Sequence, residues 1–389
     1  MNSSVIIVGA GPVGLTMAWL LHGQGVPVKV FESEPAVPDQ LRASTFHPPT
    51  LDMLDASGIS AELIGAGRIT PTWQIRQHEN GNSAEFDLGV LKADTAHPYR
   101  LQCRQARLCD ALLRRLPAEM VEFSTEVQAV GQDDTGAWVE AGGERQGAAY
   151  VIGCDGARSI VRGAMGVHLE GQTYPESTVL ATSRLPFEEH IPGLSGVNYI
   201  WFAQGTYSLL RLPDVWRISL HPAEDETPED ALTDASIRQK TRAIVPHAPE
   251  IEVVEKRIYR VHQRIADRYL KGRLLLAGDA AHLNSPKGGM GMNGGIHDAF
   301  NLAEKLVQVL NGGDAGLLDK YERQRRPIAA EEILAQADTN RKRMNTIDPE
   351  KRRAHLQELK SIAADPDRTR NFLLRSSMIA GLRRAAEIQ

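Results

Sequence analysis

Cysteine is scarce in this chain of 389 residues: there are three, Cys103, Cys109 and Cys154. An odd set argues against a closed disulfide framework, and none of the spacings suits a structural metal, so no metal site is expected and the thiols read as free and buried. Neither sign of charge is in excess, with 44 Lys and Arg against 49 Asp and Glu. That balance makes no case for nucleic acid as a partner. No apolar run is long enough to span a bilayer. Repeats and low-complexity tracts are also missing. What remains is an ordinary globular composition long enough for two or three domains at ~150 residues each.

The most apolar stretch, "VIIVGAGPVGLTMAWLL" from Val5 to Leu21, lacks the basic start of a secretion signal and is interrupted by Gly9, Gly11 and Gly14. A cytoplasmic protein is therefore expected. The segment that follows, "GVPVKVFES", alternates Val26, Val28 and Val30 and ends at Glu32. Strand, glycine turn, helix, strand and acid make a βαβ unit with G-x-G-x-x-G spacing. In that pattern Gly9 allows the tight turn, Gly11 lets backbone approach a pyrophosphate, and Gly14 lets helix and sheet pack closely. The helix aims its first amides at the anion, and Glu32 stands where a carboxylate accepts from ribose hydroxyls. These features predict a dinucleotide site without choosing between NAD and FAD.

Two further turns lie far along the chain. "YVIGCDGARSIVR", Tyr150–Arg162, runs a short apolar strand into Asp155-Gly156. "GRLLLAGDAAHLNSPKGGMGMNGG" puts Asp279 just beyond the apolar run Leu274–Leu276, where α/β folds hold ligands. The stretch "SPKGGMGMNGG" is too rich in glycine for a helix interior, so a helix is predicted only from Ile296, with Ala299, Leu302, Ala303, Leu306, Val309 and Leu310 on one face. A glycine passage thus leads to a helix N-terminus, an electropositive end suited to an electron-rich ring.

In this order and spacing, GAGPVG with Glu32, GCDGARS and AGDAAHLNSPKGGMGMN resemble the three fingerprints of the class A flavoprotein monooxygenases, the family of p-hydroxybenzoate hydroxylase and phenol hydroxylase. The resemblance spans roughly residues 1 to 330. It implies an α/β fold in which a Rossmann-type FAD-binding domain carries an inserted β-rich substrate domain and C-terminal helices. The expected division is 1–70, 98–175 and 269–330 for FAD, 71–97 and 176–268 for substrate, and 331–389 for the helical segment. The resemblance also assigns cofactor residues: Gly9, Gly11, Val13 and Gly14 at the first turn, and Glu32 at the adenosine ribose. Arg42 beside Ala43 belongs to the phosphate and flavin side, and Gln105 to the head of a helix. Asp155 with Gly156 belongs to the pyrophosphate, and Asp279 to the ribityl or pyrophosphate region. The amides of Gly291, Met292 and Asn293 serve the flavin's pyrimidine edge. His282 in "GDAAH" is assigned to structure rather than catalysis.

The chemistry so implied uses FAD, a diffusing NADH or NADPH, and dioxygen to hydroxylate an electron-rich aromatic or hydroxypyridine-type molecule through a flavin hydroperoxide. The absence of a second G-x-G-x-x-G unit fits a nicotinamide that visits and leaves. Pro286 marks the loop over the reacting face of the ring. Pocket candidates are Thr45, Trp201, Tyr207 and Arg211, the last because a guanidinium in an apolar β-type segment needs an anionic partner, either substrate or an internal carboxylate. The alternative is a reductase or dehydrogenase on the same fold without oxygen insertion. A monomer or homodimer is expected. The basic segment after 330 reads as a solvated helical face or a docking surface.

Overall fold

The structure is a computed structural model and describes residues 4–39, 42–203 and 205–389. Its first layer is a six-stranded sheet in the order Leu270–Lys271, Leu274–Leu276, Tyr150–Gly153, Val5–Val8, Val28–Phe31, Val121–Glu122. Four central pairings are parallel, with Val5 opposite both Tyr150 and Val28. Central strands such as Val5–Val8 are buried at every position, which is why they read as unbroken apolar runs. The helices Pro12–Gly23 and Met290–Leu310 pack together on this sheet, and Glu144–Ala148, Ala137–Ala141 and Val127–Gln132 form a small antiparallel sheet beside it.

The second layer is an eight-stranded sheet: His282–Leu283, Glu255–Ala266, Leu169–Ser183, Trp216–Leu220, Gly205–Arg211, Val197–Phe202, Thr72–Gln77 and Ser83–Asp87. All its pairings are antiparallel except that of Val197–Phe202 with Thr72–Gln77. Strands from the 71–97 and 176–268 segments therefore share one sheet, which also recruits His282–Leu283 from beyond them. Side chains alternate between its faces. Val179, Ala181, Ile200, Tyr207, Leu209, Trp216 and Ile218 face outward onto Phe187, Ile237 and Ile244, while Thr178, Leu180, Tyr199, Ser208, Arg217 and Ser219 face the first layer. A three-stranded sheet, Thr45–Phe46, Arg100–Gln102 and Arg68–Thr70, stands between the layers.

The long helix starts earlier than the sequence suggests, at Met290 rather than Ile296. Glycine is tolerated inside it because its neighbours leave no room for a side chain. A Cβ on Gly295 would lie 2.6 Å from Val13 Cγ2, and one on Gly294 would lie 2.9 Å from Ile333 Cδ1. Close packing outweighs a propensity cost of about 1 kcal/mol per glycine.

The C-terminal segment is not simply a solvated face. Its helices Pro349–Ala363 and Pro366–Ser376 begin with Pro after the capping residues Asp348 and Asp365. They place Leu356, Leu359 and Leu373 against Trp73, Phe86 and Trp201. Arg370 and Arg383 both pair with Asp94, at 2.6 and 2.7 Å. Among the described residues no helix is long and apolar enough to cross a membrane.

Candidate active site

Between the two large sheets runs a continuous cleft of about 1210 Å³. That exceeds the ~300–1,000 Å³ typical of small-molecule pockets. One wall is made by the first turn. Gly9 has φ +101°, and a Cβ there would stand 2.6 Å from the Cys154 carbonyl oxygen; a Cβ on Gly14 would stand 1.9 Å from the Gly9 oxygen. Gly14 is thus a packing glycine and does not line the cleft, whereas Gly11 has no atom in the way of an added Cβ and opens onto it, with Val13 beside it.

Glu32 closes the strand that follows. Its carboxylate accepts from the Ala10 amide at 2.7 Å and from the Glu34 amide at 3.0 Å, and it borders the cleft. Across from it, Gln105 accepts from the Ala43 amide at 3.3 Å, tying down the segment that brings Arg42 and Ala43 to the wall. Asp155 is held through one oxygen by the amides of Ile160 (2.7 Å) and Val161 (3.4 Å), while its other oxygen is buried without a partner. Burial raises its carboxyl above the usual range. Gly156 follows it along the wall. Asp279 opens onto the cleft, yet the surrounding protein raises its carboxyl as well, with His282 and Arg42 opposing.

The helix N-terminus completes this half. Gly289 in the left-handed region starts the helix, no acid sits in its first turn, and Gly291 and Met292 border the cleft. Asn293 is wholly buried. Its amide group donates to the Thr45 and Gly289 carbonyls at 2.8 and 2.7 Å, and its oxygen accepts from the His47 amide at 2.9 Å, so its side chain braces the turn. His47, which binds the Gly288 carbonyl at 2.8 Å, is lowered to about 3 by burial and by Arg100, and is neutral. His282 lies one layer deeper. It pairs with Asp298 at 2.7 Å, and Arg325 pairs with the other Asp298 oxygen at 2.7 Å, away from the cleft wall.

These residues fit FAD. An open glycine turn, the carboxyls of Asp155 and Asp279 and a helix N-terminus all line one cleft.

The opposite wall corrects several expectations. Thr45 and Pro286 do line the cleft, Thr45 with its hydroxyl donating to Gln102 at 3.0 Å. Tyr207 touches the cleft wall but belongs to the outward face, where its hydroxyl meets His78 Nδ1 at 2.8 Å and burial raises it. Trp201 is 1% exposed, donates to the Arg343 carbonyl at 3.3 Å and packs under the C-terminal helices. Arg211 is also outside, over the Trp216 ring at 5.5 Å and 3.7 Å from Glu188. Its carboxylate partner is internal, not substrate.

Other residues that face the cleft were missed. Arg217 is 8% exposed; it donates to Ser44 Oγ at 3.0 Å and to the Arg42 carbonyl at 3.3 Å, and among the described residues no carboxylate pairs with it and its Nε has no partner. Tyr199, next to it, and Lys287 line the same cleft. The signal was present in "WRISLH": apolar Trp216, Ile218 and Leu220 alternate with polar Arg217, Ser219 and His221.

A family model described as FAD binding domain matches residues 2–336. Para-nitrophenol 4-monooxygenase of Pseudomonas sp. (strain WBC-3) is 34% identical over 393 residues, covering 97% of this chain and 96% of that protein. 6-Hydroxy-3-succinoylpyridine 3-monooxygenase HspB of Pseudomonas putida (strain DSM 28022 / S16) is 32% identical, covering 96% and 97%. The crystal structure of p-nitrophenol 4-monooxygenase PnpA from Pseudomonas putida DLL-E4 superposes with a TM-score of 0.91 at 31% identity over 98% of both chains.

Proposed function

From the premise that the chain belongs to the FAD binding domain family, and within it to the flavin-dependent aromatic monooxygenases, we propose that it hydroxylates a single-ring phenol or hydroxypyridine at the expense of NADH or NADPH and dioxygen. The observation that carries the reading is the continuity of the cleft. The glycine turn, Asp155, Asp279, the helix N-terminus and the polar face of the second sheet all line this one cleft. The relatives at comparable length are oxygenases, which favours oxygen insertion over the reductase alternative.

Bound FAD would supply the redox chemistry that links nicotinamide oxidation to oxygen insertion. The protein's part is positioning and exclusion of water. Glu32, Arg42, Ala43, Gln105, Asp155 and Asp279 hold the nucleotide along the first wall. The amides of Gly291, Met292 and Asn293 stabilise negative charge at the helix end. Pro286, Thr45, Tyr199 and Leu210 enclose the ring, while Arg217 offers a buried positive charge to an ionised phenol. The division into FAD-binding segments 1–70, 98–175 and 269–330, substrate segments 71–97 and 176–268 and helical segment 331–389 belongs to this proposal, as does function as a monomer or homodimer in the cytoplasm.

The test is NAD(P)H oxidation by the purified flavoprotein, screened against phenols, aminobenzoates and hydroxypyridines, with hydrogen peroxide measured in parallel. A true substrate accelerates oxidation without matching peroxide, and labelled dioxygen appears in the product. Label arriving from water instead removes the monooxygenase reading.

A further inference from the structure

Behind Tyr199 the cleft has a side chamber. Tyr199, Lys287 and Met344 belong to both, so the chamber opens from the substrate end of the cleft. Its wall carries three cations, Arg100, Lys287 and Arg343, together with the amides of Gln336 and Asn340. Among the described residues no carboxylate lines it.

Arg100 is the centre of this arrangement. It is 3% exposed, its guanidinium lies 5.0 Å from the Trp73 ring, and its Nε is buried without a partner. The Tyr199 side chain is its neighbour in the chamber wall. A guanidinium removed from water is costly unless an acceptor completes it, and among the described residues no acidic side chain does so here. The chamber's volume is about 30 Å³. A single water needs ~10–15 Å³ by this measure, so there is room for one small group and none for a second ring.

Resting on the monooxygenase reading of the cleft, we propose that this chamber receives a planar, two-oxygen substituent of the substrate, a carboxylate or nitro group, with Arg100 as its anchor and the ring left in the main cleft. Arg100, Arg343, Lys287 and Asn340 all carry donors on this wall, Lys287 Nζ also donating to Asn345 Oδ1 at 3.2 Å, so a group that only accepts hydrogen bonds is favoured. A neutral amide of the same shape brings its own donors and is rejected. The chamber thus selects which ring enters and which end enters first.

The experiment is equilibrium titration of the FAD-loaded enzyme with benzoate and with benzamide, followed by the flavin absorbance change and requiring no turnover. The wild-type protein is expected to bind benzoate at least tenfold more tightly. In Arg100→Gln that preference is expected to fall to less than twofold, with benzamide binding and FAD content unchanged. Arg343→Gln, at a less buried wall position, is expected to lower it several-fold, and keeps the test open should Arg100→Gln fail to fold. A wild-type enzyme that does not separate the two ligands overturns the proposal. So does a preference that survives Arg100→Gln, or that Arg217→Gln abolishes and Arg100→Gln does not. A full preference in an enzyme that hydroxylates no ring at all supports the chamber and sinks the reading of function instead.

Discussion

The two walls of the cleft are made of different material. The wall proposed for the cofactor is largely backbone: a turn closed by Gly9 and Gly14, the amides at the start of the helix Met290–Leu310, and a few carboxylates at strand ends. The wall proposed for the substrate is side chain, presented at every second position of strands whose other face is a hydrophobic core. A backbone site demands particular residue types at fixed spacing, because only glycine leaves the room. A side-chain site accepts many residue types, provided each falls on the correct face.

The sharpest way to break this contrast is to add one carbon to the cofactor wall. In Gly14→Ala the new Cβ meets the Gly9 oxygen at 1.9 Å, backbone against backbone, with no flexible side chain to yield. The expected cost exceeds ~3 kcal/mol, at the upper end of overpacking effects, and FAD is not retained. Thermal unfolding and the flavin released on denaturation measure both. A Gly14→Ala protein that is yellow and melts with the parent would show that this wall is not held by backbone contact.

The second effect belongs to the substrate wall. Arg217→Leu is expected to raise the KM for an ionised substrate at least tenfold, ~1.4 kcal/mol or more, while FAD content stays unchanged. Lost flavin would mean that Arg217 serves the cofactor, and the two walls would then share their residues.

The same contrast explains what could be read in advance. Gly9, Gly11 and Glu32 were legible at the cleft from their spacing, and Asp279 from its place just after an apolar strand, whereas Asp155 came only from the family resemblance; the β-rich segment was legible from its valines, tyrosines and turns. Which face each strand residue takes was not. Trp201 and Tyr207 are aromatic and sit in the right strands, but Tyr207 falls one residue from the inward Thr206 and Ser208, and Trp201 lies past the end of the cleft under helices that no local pattern connects to it. Arg100 was invisible for another reason. It comes from the strand Arg100–Gln102, some 187 positions before Lys287, and only the tertiary fold joins them.

A smaller effect separates the charge of the substrate wall from its shape. Burial and the neighbouring Arg341 lower Lys287 to about 8, with Glu176 opposing. A base whose folded value lies below its unfolded one, ~10.4, is a burden on the folded state while it is charged. That burden is complete below pH 8 and relieved between pH 8 and 10.4. Lys287→Met is therefore expected to be more stable than the parent at pH 7, with the gap closing towards pH 10. Benzoate affinity should run the other way and fall several-fold as pH rises through 8, a trend absent from Lys287→Met. A flat benzoate profile in the parent would remove Lys287 from the anion's surroundings.

The smallest expected effect is the most exacting for the face assignment. Arg211 is a buried-strand arginine by sequence, and a substrate role for it requires the inward face. The structure gives it the opposite parity from Leu210, with Glu188 at 3.7 Å and the Trp216 ring at 5.5 Å as its neighbours. Glu188 is 45% exposed, so the pair is well screened and worth ~1 kcal/mol at most, and the ring contact contributes ~0.5–1 kcal/mol. Arg211→Leu should therefore cost ~1 kcal/mol in thermal unfolding and leave KM for every substrate within twofold of the parent. Strand register makes the alternative equally definite. A slip of one residue exchanges the two faces, and Arg211 would then enter the cleft while Leu210 left it. A tenfold rise in KM with an unchanged melting temperature would report that slip, and with it the inward placement of Ser208 and Arg217 would fall.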